Sequence, residues 1–141
     1  MTPKDQAARE LLDRWLSESS LLELVFVGIA EPVGRHTSLR LDGFIKEVQA
    51  SPVYQKAAII VIWDSSGGWY DHVPPPQTDP GQGLGMRVPM LVISPFAKKN
   101  YISHVQMDDV SILRFIQQTF GLPPLNARNS QSNDLSDMFS F

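Results

Sequence analysis

Cysteine is absent from this 141-residue chain. Without a thiol there is neither a disulfide framework nor a thiolate zinc site. An excess of positive charge is missing as well: 12 Lys and Arg stand against 15 Asp and Glu, a net charge of −3. Nucleic acids and anionic membranes select a basic footprint, so this balance argues against both as partners. No apolar run is long enough to span a bilayer, and the longest, residues 21–30, is interrupted by Glu23. The opening MTPKDQAARE is charged and contains no apolar signal core, so the chain reads as lacking a secretory leader and as cytoplasmic by default. No internal repeat or long low-complexity segment is present. What remains is an ordinary globular composition, 43% hydrophobic and 19% charged. The length fits a single domain over residues 1–141, able to bury roughly two-thirds of its unfolded surface.

Apolar spacing predicts alternating helices and strands. Residues 4–16 place Ala8, Leu11, Leu12, Trp15 and Leu16 on one recurring face, a helical pattern. Residues 21–29 read as a buried strand, followed by Pro32 and Gly34 as breakers. Residues 42–50 read as a short helix ended by Pro52. Residues 57–63 are the clearest strand, a β-branched apolar run of the kind covered on both faces. Residues 88–94 form a second such run, with Pro89 tolerated near its start. Asp109 to Phe120 is an amphipathic helix, apolar at Val110, Leu113, Phe115, Ile116 and Phe120, and Gly121 stands where a C-terminal cap belongs. The tail from Leu122 is polar and is expected to run over the surface. This rhythm is that of an α/β layered fold.

The stretch WDSSGGWYDHVPPP carries the candidate chemistry. Asp64 is the first residue past a buried strand, where ligands of open α/β sheets gather. Gly67 and Gly68 permit a sharp turn and close approach of backbone to a ligand. Asp71 and His72 follow within reach of the same rim. An acid and an imidazole converging there suit a divalent metal or acid–base chemistry. The alternative is structural: Asp64 caps a loop, the glycines serve a turn and His72 bonds backbone. His36, in GRHTS, reads as a surface histidine.

The run AAIIVIWDSSGGWYDHVPPP, followed by GLGMRVPMLVISPFAKKNYISH and SILRFIQQTFGLPPLNAR, resembles the phosphoesterase family that includes bacterial non-haemolytic phospholipase C and related acid phosphatases. The likeness is strong over residues 51–125 and weak over 1–50 and the terminal NDLSDMFSF. It implies an alkaline-phosphatase-like α/β sandwich around a mostly parallel sheet, with a divalent metal of unstated identity at the strand ends. It places Asp64 and the neighbouring Ser65 at the metal and His72 and His104 as catalytic histidines. Gly67, Gly68, Asp71 and Arg87 fall to substrate binding. For Arg87 a salt bridge fixing the loop is an equally open role. The substrate implied is a phosphate ester or phospholipid head group.

Departures from the family pattern qualify this reading. Ser65 stands where the family carries Glu or Asp, which removes an anionic ligand. MDDVS stands where the family shows Tyr-Asp-His-Thr-Ser, so Asp109 replaces a histidine. Family enzymes place a nucleophilic Ser or Thr in an N-terminal half, and the 63 residues before Asp64 are too few for it. The chain therefore reads as the C-terminal, truncated part of a phosphoesterase. Two functions stay open: a phosphoric ester hydrolase module, or an inactive homologue that binds a ligand or another subunit, as a homo-oligomer or with a partner chain. Family members are often exported, which this N-terminus does not signal.

Overall fold

The computed structural model describes residues 6, 10, 35–77 and 83–140. It divides into two compact units, Met1–Ile59 and Ile60–Phe141. Of the helix expected over residues 4–16, only Gln6 and Glu10 are described. Both are helical, and the Gln6 amide donates to the Glu10 carboxylate one turn on at 3.3 Å. The strand expected over residues 21–29 lies outside the described residues.

Helix α1 of the first unit runs Arg35–Ala50, starting seven residues before the expected residue 42. Asp42 is a good cap by type, but its carboxylate pairs with Lys46 at 2.7 Å, an i,i+4 bridge within the helix. The helix therefore continues upstream through His36, whose backbone is helical. Val48 is its buried side chain. The end of α1 follows from Pro52, which pushes Ser51 into an extended conformation and then opens the 3-10 turn Pro52–Lys56.

In the second unit, strand β1 (Ile59–Ile62, its first residue at the junction) pairs with β2 (Met90–Ile93). The Trp63 N–H beyond the end of β1 donates to the Pro89 carbonyl before the start of β2, at 3.4 Å. End thus meets start, and the pair is antiparallel. This corrects the expectation of a mostly parallel sheet for the described residues. Both strands are shorter than the runs that predicted them, and no residue of either is fully buried. An apolar run reports β propensity; how much covers it is decided by other segments.

Helix α2 spans Asp109–Phe120, the expected range. Asp108 and Ser111 form a capping box: the Ser111 N–H donates to Asp108 Oδ1 at 3.1 Å, and the Asp108 N–H donates to Ser111 Oγ at 3.0 Å. Gly121, at φ 65°, closes the other end, and its N–H and that of Leu122 return to the last turn. The fully buried positions of α2 are polar, Ser111 and Gln117, whereas the apolar Leu113 is 39% exposed. A short helix α3, Ala127–Gln131, packs against α2, and Arg128 reaches back to Asp108 at 3.3 Å.

The tail from Leu122 is exposed through Arg128, as expected, but its distal part is anchored. Leu135 is 0% and Phe139 5% exposed, and the Phe139 ring stacks on Phe115 of α2 with centroids 4.9 Å apart. Its backbone is bonded too: Lys98 N–H donates to the Met138 carbonyl at 3.0 Å and Ser140 N–H to the Phe96 carbonyl at 2.8 Å, around an antiparallel bridge between Ala97 and Phe139. The polar letters of NDLSDMFSF conceal two side chains, four residues apart, that form the core of this unit.

Candidate functional site

The Gly-Gly turn projects from the end of β1. Gly67 and Gly68 have φ of 65° and 80°, and the Trp69 N–H donates to the Ser66 carbonyl at 3.3 Å. Two successive residues at positive φ define a mirror-image turn, which side chains with a Cβ resist. The turn lifts Trp69 and Tyr70 into solvent, 81% and 80% exposed. Asp64 and Ser65 lie exposed on the near side, where the Gly67 N–H donates to Ser65 Oγ at 3.4 Å.

Past the turn the chain folds back on a carboxylate–guanidinium pair. Arg87 Nε donates to Asp71 Oδ2 at 2.8 Å and Nη2 to Oδ1 at 2.7 Å, a bidentate fork. The Val73 N–H adds a bond to Oδ1 at 3.0 Å. The Arg87 bonds, helped by that amide, hold the Asp71 carboxyl well below the usual carboxylate range, and Asp71 in turn raises Arg87. The Asp71 side chain is well covered while that of Arg87 is largely exposed. Ser66, Trp69, Tyr70, Asp71, Arg87, Val88 and Pro89 line an open depression of about 410 Å³.

Of the sequence-predicted residues, the structure brings Asp71 and Arg87 into direct contact, spaced by 16 in sequence. His72 is exposed and meets the Tyr70 ring edge-on, centroids 5.0 Å apart. Asp64, Ser65, Gly67, Gly68 and His72 do not line the depression. His104 lies in another segment, beside Ser103, whose hydroxyl donates to Asp137 Oδ2 at 2.6 Å. Among the described residues, no group of three or more His, Asp or Glu side chains stands close enough to hold a metal ion. The described residues around Asp64 and Ser65 thus offer no such group for the divalent metal expected there. No described helix is long and apolar enough to cross a membrane.

Residues 39–123 match the model of the phosphoesterase family, a span holding the Gly-Gly turn, the Asp71–Arg87 pair and His104. The chain belongs to the phosphoesterase family. Phospholipase C B of Mycobacterium tuberculosis is 34% identical over 63% of this chain and 22% of its own length. Non-hemolytic phospholipase C of Pseudomonas aeruginosa is 29% identical over 81% of this chain and 21% of its own. Non-specific phospholipase C1 of Arabidopsis thaliana is 35% identical over 43% of this chain. The chain thus spans about a fifth of the length of the bacterial relatives it matches. Residue-type reasoning missed Asp137, which lies beyond the phosphoesterase match. Its only signal was a carboxylate in a tail whose Leu and Phe fall at helical spacing.

Proposed function

We propose that this chain supplies the phosphate-ester-binding part of a phosphoric ester hydrolase of the phospholipase C or acid phosphatase type, within an alkaline-phosphatase-like fold. The bidentate Asp71–Arg87 pair at the mouth of an open depression carries this reading. Asp71 takes the Nε and Nη2 face of the guanidinium, and no bond to Nη1 is formed among the described residues. A guanidinium fixed on one side by a carboxylate is pre-oriented to donate from the other to phosphate oxygens. The Ser66 hydroxyl, which donates to Met86 Sδ at 3.6 Å, lines the same depression, and Trp69 and Tyr70 offer apolar faces to the ester's organic part. The relatives' names point to phospholipids as the ester class. His72 and His104 are the imidazoles available as proton carriers. A divalent ion at Asp64 would need its other ligands from outside the described residues.

Calorimetric titration with glycerol phosphate and phosphocholine, alongside hydrolysis of p-nitrophenyl phosphate and its bis-ester, tests this. Binding should weaken at least tenfold in Arg87→Ala, about 1.4 kcal/mol or more. Failure of the wild-type chain to bind either phosphate would sink the reading. A second reading, an inactive homologue that engages another subunit, draws on the exposure of Trp69 and Tyr70. Turnover by the wild-type chain would exclude it.

A further inference from the structure

A carboxylate outside the family match is hydrogen-bonded to the segment that carries His104. Asp137 Oδ2 accepts the Ser103 hydroxyl at 2.6 Å and the Tyr101 hydroxyl at 2.9 Å, and Oδ1 lies 3.0 Å from the same phenol. Hydroxyl-to-carboxylate bonds of this length are charge-assisted and stronger than neutral ones. Ser103 is bound a second time: the Val105 N–H donates to its Oγ at 3.2 Å. That bond spans His104 in a hydroxyl-closed turn. The Ser103 hydroxyl therefore gives its proton to Asp137 and accepts from the far side of the histidine. The surrounding groups support the arrangement. The Lys98 ammonium lies 4.7 Å above the Tyr101 ring, and the Ser103 and Tyr101 bonds, with the charges of Lys98 and His104, keep the Asp137 carboxyl below its ordinary range.

We propose that Asp137 is a positioning residue for His104, fixing the backbone of this histidine through the Ser103 hydroxyl. The role of His104 in a phosphoester site rests on the function proposed above; the positioning does not.

The test is NMR relaxation of the whole chain, reading the His104 amide order parameter and side-chain couplings. In the wild type the amide should be near the rigid value of about 0.85. In Asp137→Asn and in Ser103→Ala it should fall toward about 0.6, with the couplings averaging over rotamers. Ser103→Thr, which keeps the hydroxyl, should restore the wild-type values. Asp134→Asn, in the same tail but bonded to the Ser136 N–H at 2.8 Å and not to the His104 segment among the described residues, should leave His104 unchanged. Ring signals of Phe115 and Phe139 report whether the core persists. If Asp137→Asn unfolds the tail, Ser103→Ala decides alone. A His104 amide equally rigid in Ser103→Ala and wild type overturns the proposal. Titration with inorganic phosphate separates the two readings. A loosened His104 whose signals never respond to phosphate keeps the positioning and removes the phosphoester role.

Discussion

Residues 64–73 and residues 134–140 are of similar length and divide the work of the second unit between them. The Gly-Gly segment sends Trp69 and Tyr70 into solvent, while the tail segment buries Leu135 and Phe139. The first is held by local bonds and one ion pair to Arg87. The second is tied by backbone bonds to Phe96 and Lys98, by side-chain bonds to Tyr101 and Ser103, and by ring stacking on Phe115. Exposed loops with few anchors open at little cost and are where ligands are met, whereas densely bonded segments open only with the whole unit. The contrast places the buried core in the tail and the exposed aromatic side chains in the loop, inverting what their compositions suggest.

The strongest way to break that contrast is to empty the core. Leu135→Ala should cost about 2–5 kcal/mol and Phe139→Ala about 3–5, read from chemical denaturation of the chain. A loss under about half a kcal/mol for both would mean that the tail is not docked. A smaller effect comes from two glycines that share left-handed backbone, Gly68 in the loop and Gly121 at the end of α2. Gly121→Ala, at the cap of α2, should lower global stability by about 1 kcal/mol, and the open space around its Cβ makes this a backbone effect alone. Gly68→Ala meets equally open space at φ 80°, yet its strain should be relieved by local opening and change global stability by less than about half that. Equal losses at the two positions would show that the loop unfolds with the core.

A pH titration sharpens the comparison further. Asp71 has its folded-state carboxyl depressed by Arg87, so its stabilising contribution is complete above the unfolded carboxylate value of about 3.9. That contribution disappears only as the pH falls through the folded value, below the ordinary range. Carbonyl-carbon NMR should therefore find Asp71 still ionised where free aspartates have protonated, and Arg87→Ala should return it to ordinary behaviour. The smallest effect belongs to Trp69→Ala, which should leave stability within about half a kcal/mol. A larger loss would mean that the indole is covered in solution.

The features legible in the sequence are those that short-range chemistry decides. Helix α2 and its Gly121 cap fall where the Val110-to-Phe120 periodicity and the glycine placed them. The Gly67–Gly68 turn has the positive φ that two adjacent glycines invite. Features depending on distant partners were not legible. Strand direction is set by which ends meet, and nothing in IIVI or MLVI states it. Asp42 resembled a helix start until Lys46 claimed its carboxylate. Leu113 belonged to an apolar face, but exposure depends on which segment covers that face, and Phe139 covers Phe115 instead. In the candidate site, a loop-fixing role for Arg87 was open from its motif, but the identity of its partner required the fold. Asp137 had no motif at all.

The bonds between the 96–98 segment and the tail also bear on how the chain is made. Residues 60–98 are joined to the chain before Leu135, Met138 and Phe139. At about 5–20 residues per second, β1, β2 and the Gly-Gly loop exist for several seconds without the side chains that complete their unit's core. During that interval the carbonyl of Phe96 and the N–H of Lys98 have no tail to bond, and Phe115 has no ring to stack on. The second unit is thus closed last by its most distal segment. A ribosome stalled before residue 135 would leave a chain without the two side chains that form this core.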